Sequence, residues 1–249
     1  APGTGKTLLA GHIAASLRRP LYVARLDSLI SSRLGETAKN VRSIFEFVPA
    51  RNAVLFLDEM DAIAKLRDDR HELGELKRVV NTVLQGLDSL TDDVVTVSAT
   101  NHPHLLDPAI WRRFPYKVEL TLPDEAVRAS MWEHFLFQGD ESHMDEARLL
   151  SRVSEGLNGA DIENIALAAR RRAILSNQDS NLARILLAVG ASRTGSPRLL
   201  DNRELDTADK KTLTTLLHDK GGISQAEIGQ IVGVSRQMVH RYLKEARDG

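Results

Sequence analysis

Five consecutive apolar residues, Ala53-Val54-Leu55-Phe56-Leu57, stop abruptly at two acids, Asp58-Glu59. A strand with one face in water alternates apolar and polar residues. An unbroken apolar run instead suits a strand covered on both faces, as in a parallel sheet between layers of helices. The acids then fall at the C-terminal edge of the strand, where open α/β sheets hold ligands. Two acids after a strand also suit a helix N-cap and first turn. A second feature separates these readings. Gly3-Thr4-Gly5-Lys6-Thr7 is the back half of G-x-x-x-x-G-K-[ST], the phosphate-binding loop. Its glycines let backbone N–H groups curl around a phosphate, Lys6 reaches the β- and γ-phosphates, and the Thr7 hydroxyl ligates Mg²⁺. Residues 8–17 are good helix formers, so a positive helix end would face the anion. With that loop upstream, Asp58 is expected to hold Mg²⁺ through water and Glu59 to polarise the attacking water.

The rest of the first half alternates strand and helix, which indicates a parallel α/β sheet. Strands are expected over residues 21–24, 53–57, 94–98 and, by alternation, 116–120. Val41, Ile44, Phe45 and Val48 recur at helical spacing over residues 37–48. A longer stripe runs from Leu73 to Leu87. The third strand ends at Ala99-Thr100-Asn101, and Asn101 can orient the attacking water or the γ-phosphate. Arg112-Arg113 follow an ordered turn. They are surface charge, an ion pair, or the arginines that stabilise transition-state charge in phosphoryl transfer. The first glycine of the loop pattern would fall just before Ala1, and the strand that normally delivers the loop would precede it. A chain beginning at Ala1 is therefore expected to be a fragment of a longer protein, unstable alone and a poor binder of ATP.

Over residues 1–176 these motifs, in this order, resemble an AAA+ ATPase of the AAA clade. Gly3 to Thr7 resembles Walker A, Leu55 to Glu59 Walker B, Ser98-Ala99-Thr100-Asn101 sensor 1, and Leu106 to Phe114 the second region of homology. Gly74 to Asn81 resembles the clade's next helix, and Gly156-Leu157-Asn158-Gly159-Ala160-Asp161-Ile162 its lid segment. The resemblance implies ATP and Mg²⁺ as cofactors, a P-loop NTPase sheet lacking its first, central strand, and an all-α lid. It also implies a homo-oligomeric ring, commonly hexameric, that remodels a macromolecule such as a protein substrate. Pro2, Gly3, Thr4, Gly5, Lys6, Thr7, Leu8, Gly159 and Ala160 would then contact nucleotide, with Thr7 and Asp58 at the metal. Glu59, Asn101, Arg112 and Arg113 would be catalytic, both arginines acting on a neighbour's ATP. Arg33-Leu34-Gly35 stands where many members carry an aromatic pore loop, but Arg33 replaces the aromatic. A pore role and a solvated loop are both open there.

Strand signals vanish after Pro123-Asp124, and helices are expected over 126–137, 145–153, 160–175 and 179–189. Residues 191–205 are rich in Ser, Gly, Pro and Arg and read as a linker. Residues 224–243 read as a helix-turn-helix. Ser224 caps its first helix, Gly229 sits at a close crossing, Gly233 permits the turn and Ser235 caps the second helix. Ser235, Arg236, Gln237, His240, Arg241 and Lys244 form the expected DNA face, and similar stretches occur in bacterial and phage DNA-binding modules. A helical protein-docking domain is the other reading. The net charge of −1 announces no nucleic-acid partner, and residues 205–249 hold 7 basic against 6 acidic side chains. There is no cysteine and no apolar run long enough to span a membrane, so a cytoplasmic protein is expected. The expected domains are an ATPase core at 1–123, a lid at 124–190, a linker at 191–205 and a helix-turn-helix at 206–249. The function expected is ATP hydrolysis by a ring tethered to DNA. The alternatives are a DNA-binding regulator whose ATPase is an oligomerisation switch, and an ATPase partner of a separate protease.

Overall fold

The computed structural model describes residues 2–30, 34–65, 73–91, 93–195 and 204–248. The chain divides into two compact units, Ala1–Leu120 and Thr121–Gly249. The first holds a parallel sheet in the order β1 (Leu21–Arg25), β2 (Val54–Asp58), β3 (Val95–Ser98). Around it run α1 (Lys6–Ser16), α2 (Leu26–Ile30), α3 (Leu34–Phe47), α4 (Ala62–Lys65), α5 (Leu73–Ser89) and α6 (Pro108–Arg112). The unbroken apolar run of β2 has a direct cause. Phe56 is buried against Ala10 of α1, while Leu55 and Leu57 are buried in a second cluster with Val41 and Phe45 of α3 and Val83 of α5. Successive side chains point to opposite faces, so both sets must be apolar.

Residues 116–120 do not form the expected strand. Tyr116 and Val118 are 90% and 74% exposed, and β3 pairs only with β2 among the described residues. Alternation marks a sequence able to enter a ladder, but a strand exists only where a partner accepts its backbone groups. Arg33 lies outside the described residues, as does the stretch from 196 to 203 within the expected linker.

The second unit is helical throughout its described residues: α7 (Glu125–Phe135), α8 (Met144–Val153), α9 (Gly159–Ser176), α10 (Leu182–Arg193), α11 (Thr207–Leu216), α12 (Gln225–Val232) and α13 (Arg236–Asp248). Side-chain caps set the starts of several. Asp124 accepts from Val127 N, Asn158 and Asp161 form a reciprocal capping box, and Asn181 accepts from Arg184 N. The Asn181 cap explains why α10 begins three residues later than expected. It then continues to Arg193, into the segment read as linker.

The lid helices and the helix-turn-helix share one core. Trp132, Leu150 and Leu186 belong to the same cluster as Leu213, Leu217, Ile228, Val232, Val239 and Leu243. A single π-turn, Leu217–Gly221, carries α11 toward α12. There Lys220 pairs with Glu155 at 2.6 Å and Arg152 donates to the Gly221 carbonyl. The two were expected as separate modules. No described helix is long and apolar enough to cross a membrane.

The turn of the helix-turn-helix has little slack. Gly233 takes φ +71°, and Val234 N donates to Gly229 O at 2.9 Å. A Cβ at Gly229 would stand 2.7 Å from the Val234 carbonyl oxygen, a backbone atom that cannot rotate away. Gly11 in α1 has open space at the same position. Gly229→Ala is therefore expected to cost about 1–3 kcal/mol in urea denaturation of the second unit. Gly11→Ala should gain about 0.5–1 kcal/mol in the first.

Candidate functional site

Three elements meet at the C-terminal edge of the sheet: the loop before α1, the end of β2 and the end of β3. Gly3 and Gly5 take left-handed backbone at φ +71° and +89°, which suits residues without a Cβ. Gly5 is the N-cap of α1 and has no side chain to cap the first-turn N–H groups, so those donors point outward from the positive end of the helix. Lys6 opens the helix and donates from Nζ to Asn101 Oδ1 at 2.7 Å. Two residues 95 apart in sequence thus meet, the first from the loop and the second from beyond β3. Thr7 lies exposed in the first turn of α1, and Leu8 is 74% exposed.

Asn101 is held by an interaction that sequence reading missed. Asp61 is buried and accepts from Thr100 Oγ1 at 2.9 Å and from Asn101 N at 3.3 Å. The loops after β2 and β3 are further laced together, with Ala99 N donating to Leu57 O and Met60 N to Ala99 O. Between those bonds Glu59 takes φ +54°, an uncommon conformation for a residue with a side chain. Its own N–H donates to Asp58 Oδ1 at 2.9 Å. The lone acid at 61 carried no signal beyond an ordinary helix start.

Arg25 and Asp27 were missed as well. Arg25 pairs across the ladder with Asp58, and its Nη2 lies 3.0 Å from Asp27 Oδ2 and 3.9 Å from Glu59 Oε1. Desolvation and then the nearby Asp27 carboxylate push Glu59 above the usual glutamate range, with Arg25 pulling the other way. Arg113 is committed within its own chain. Its Nε and Nη2 reach the two Asp88 oxygens at 3.0 and 2.8 Å, while Arg112 is exposed.

The donor set fits a nucleoside triphosphate with Mg²⁺. The backbone N–H groups and Lys6 ammonium suit phosphate, and the Thr7 hydroxyl and Asp58 carboxylate are the hard oxygen donors that Mg²⁺ takes. Among the described residues no three His, Cys, Asp or Glu side chains cluster as a metal cage. A Mg²⁺ that draws its other ligands from phosphate and water needs none. Leu34 and Gly35 open α3, and Gly159 and Ala160 open α9 in the second unit.

In that unit α13 buries Val239, Tyr242 and Leu243 and exposes Arg236, Gln237, His240, Arg241 and Lys244. Ser235 accepts from Met238 N at its start. Arg236, His240 and Lys244 recur every four residues and stand in one stripe, which Arg247 extends. Arg241 differs from them, because Glu245 lies 3.6 Å from it and 2.6 Å from Lys211.

Residues 1–122 match the family described as ATPase family associated with various cellular activities (AAA), and residues 205–248 match the one described as winged helix-turn-helix DNA-binding. An uncharacterized AAA family ATPase of Sinorhizobium fredii is 40% identical over 202 residues, covering 80% of this chain and 61% of that protein. A putative 26S proteasome regulatory subunit homolog of Methanothermobacter thermautotrophicus is 36% identical over 183 residues, 72% of this chain and 49% of its own. An ATP-dependent zinc metalloprotease of Sphaerobacter thermophilus is 36% identical over 216 residues, 83% of this chain and 44% of its own. The chain thus spans less than two thirds of each of these relatives.

If Asp61 holds Asn101 in place, Asp61→Ala leaves the Thr100 hydroxyl and the Asn101 N–H without their acceptor. The expected cost is about 1–3 kcal/mol in denaturation. Any ATP turnover should fall with it, and Asp61→Asn should retain more of both.

Proposed function

Residues 1–122 form an AAA-family ATPase domain and residues 205–248 match a winged helix-turn-helix family, and from this premise we propose that the chain hydrolyses ATP within a homo-oligomeric ring tethered to duplex DNA. The observation that carries the reading is the meeting of Lys6 with Asn101 at the sheet edge that also bears Asp58 and Glu59. Lys6 leaves Asn101 for the β- and γ-phosphates when ATP enters the loop, which frees the Asn101 amide to orient water or the γ-phosphate. Asp61 keeps that amide aimed during the exchange. Glu59 accepts a proton from the attacking water as its oxygen bonds to the γ-phosphorus and the bond to the β-phosphate oxygen breaks. Thr7 and Asp58 would hold Mg²⁺, which would supply charge neutralisation on the phosphates. Arg112 and Arg113 belong to the second region of homology, the segment through which the chain acts on ATP held by a neighbouring subunit. Gly159 and Ala160, which open α9, are the lid's candidates for nucleotide contact, and Arg33-Leu34-Gly35 is the candidate for gripping a protein substrate.

DNA attachment follows from the basic stripe of α13. Arg236 and Gln237 stand at the helix start, where base edges are read, while Lys244 suits phosphate. Glu245 offsets Arg241, so Arg241 contributes less positive field than its neighbours. A second reading, an ATPase partner of a separate protease, is favoured by relatives named as a proteasome regulatory subunit homolog and a proteasome-activating nucleotidase. ATPase stimulation distinguishes the two readings. Duplex DNA stimulates the first, and unfolded polypeptide with a protease partner stimulates the second.

Two variants test the main reading in the natural-length protein. Glu59→Gln should keep ATP binding and lower turnover by about a hundredfold or more. Unchanged turnover would remove Glu59 from the mechanism. Arg236→Ala should weaken duplex binding by about 1–3 kcal/mol and relax base preference. Retention on DNA that ignores both salt and this change would make the module a protein-docking domain.

A further inference from the structure

We propose that the two adjacent arginines have unequal roles: Arg112 is delivered to the nucleotide of a second copy, and Arg113 is a positioning residue that holds it through Asp88. This assignment rests on the ATPase reading above and divides a pair that sequence alone treats as equivalent.

The division begins with helix geometry. Asp107 caps α6 by accepting from Ala109 N at 2.8 Å, and Ile110 is 1% exposed within the core that also takes Leu106 and Phe114 at its margin. Burial of Ile110 fixes the rotation of this short helix. Each residue advances about 100°, so Arg113, three residues on, lies about 60° from the buried direction, while Arg112 lies about 160° from it. One arginine is turned toward the body of the unit and the other away.

The contacts agree with the rotation. All three nitrogens of the Arg113 guanidinium are used: Nε and Nη2 on Asp88 at 3.0 and 2.8 Å, and Nη1 on the Ala109 carbonyl at 3.0 Å. The forked pair to a carboxylate is the geometry at which arginine is most directional. Asp88 sits in the last turn of α5, where a carboxylate opposes the negative end of the helix dipole. Its partner Arg113 offsets that placement and holds Asp88 below the usual carboxylate range. The pair therefore ties the end of α6 to the end of α5. Arg112 is exposed and makes no hydrogen bond or ion pair among the described residues. To reach a nucleotide, Arg113 would have to break three hydrogen bonds, and Arg112 would break none.

Steady-state ATPase kinetics of the natural-length protein with Mg²⁺ test the assignment. Arg112→Ala should lower kcat about a thousandfold, the scale of such arginines, with KM for ATP unchanged. Arg113→Ala and Asp88→Ala should each lower kcat by about ten- to a hundredfold, as misplacement of a catalytic group does, again at constant KM. In an Arg112→Ala background neither change should lower kcat further, because both act through Arg112. Asp88→Asn, which keeps the side-chain size, carries the same test if Arg113→Ala does not fold. The assignment is overturned if Arg113→Ala matches Arg112→Ala while Asp88→Ala leaves kcat intact, or if the losses multiply in the double variants. Lys6→Ala separates the two levels. Turnover that survives Lys6→Ala defeats the ATPase reading itself, whereas turnover lost in Lys6→Ala but kept in Arg112→Ala defeats only this assignment.

Discussion

The first unit depends on one constraint, the coverage of β2 on both faces. Phe56 needs α1 above it, and Leu55 and Leu57 need α3 and α5 below. With both faces closed, ionised groups can stand only where the ladder ends, so the change from Leu57 to Asp58 marks the edge of the sheet as well as the start of the chemistry. The same closure sets the rest of that edge. Ala99 N binds Leu57 O in continuation of the ladder, Met60 N returns to Ala99 O, and Asp61 then takes the Thr100 hydroxyl. Glu59 is caught between these bonds with a positive φ, a strain of order 1–3 kcal/mol that the surrounding hydrogen bonds sustain. Its carboxylate is thereby held near Arg25 and Asp27, and its elevated proton affinity follows from that placement.

Size governs the second unit. A helix-turn-helix of some 45 residues buries too little apolar surface to be comfortably stable by itself. Here Leu213, Leu217 and Ile228 join a core that includes Trp132, Leu150 and Leu186 of the preceding helices. Lys220 on Glu155 and Arg152 on the Gly221 carbonyl add polar links at the same junction. Through α11, the π-turn and α12, α13 is therefore oriented by α8 and α10 as well as by its own turn. The proposed DNA tether would then be an extension of the helical unit, and a reorientation of that unit would carry α13 with it.

Legibility in the sequence followed distance along the chain. Gly3 to Thr7, Leu55 to Glu59 and Ser224 to Ser235 are contiguous patterns whose backbone demands are local, and each was readable. Residues 116–120 failed because alternation is local whereas strand pairing is not. Asp61 with Thr100, Asp88 with Arg113 and Arg25 with Glu59 are 39, 25 and 34 positions apart, and only folding brings them together. The shared core of the second unit was hidden for a similar reason. Ser, Gly and Pro described residues 191–205, but the core that takes Leu213 and Leu217 includes Leu150 and Leu186, more than twenty residues upstream.

Net charge was equally silent for a physical reason. Affinity for a phosphate backbone depends on the cations that reach it and not on the sum over the chain. On α13 the stripe of Arg236, His240, Lys244 and Arg247 is concentrated on one face, while Glu245 draws Arg241 and Lys211 toward itself. The acid thus organises the module's fold at the expense of one cation on the proposed DNA face, so a single copy would be a modest binder. A ring would offset that modesty without any new contact, because once one copy is bound the others search the same duplex at high effective concentration. On the proposed ring, weak individual modules would release stepwise, which a single tight site would forfeit.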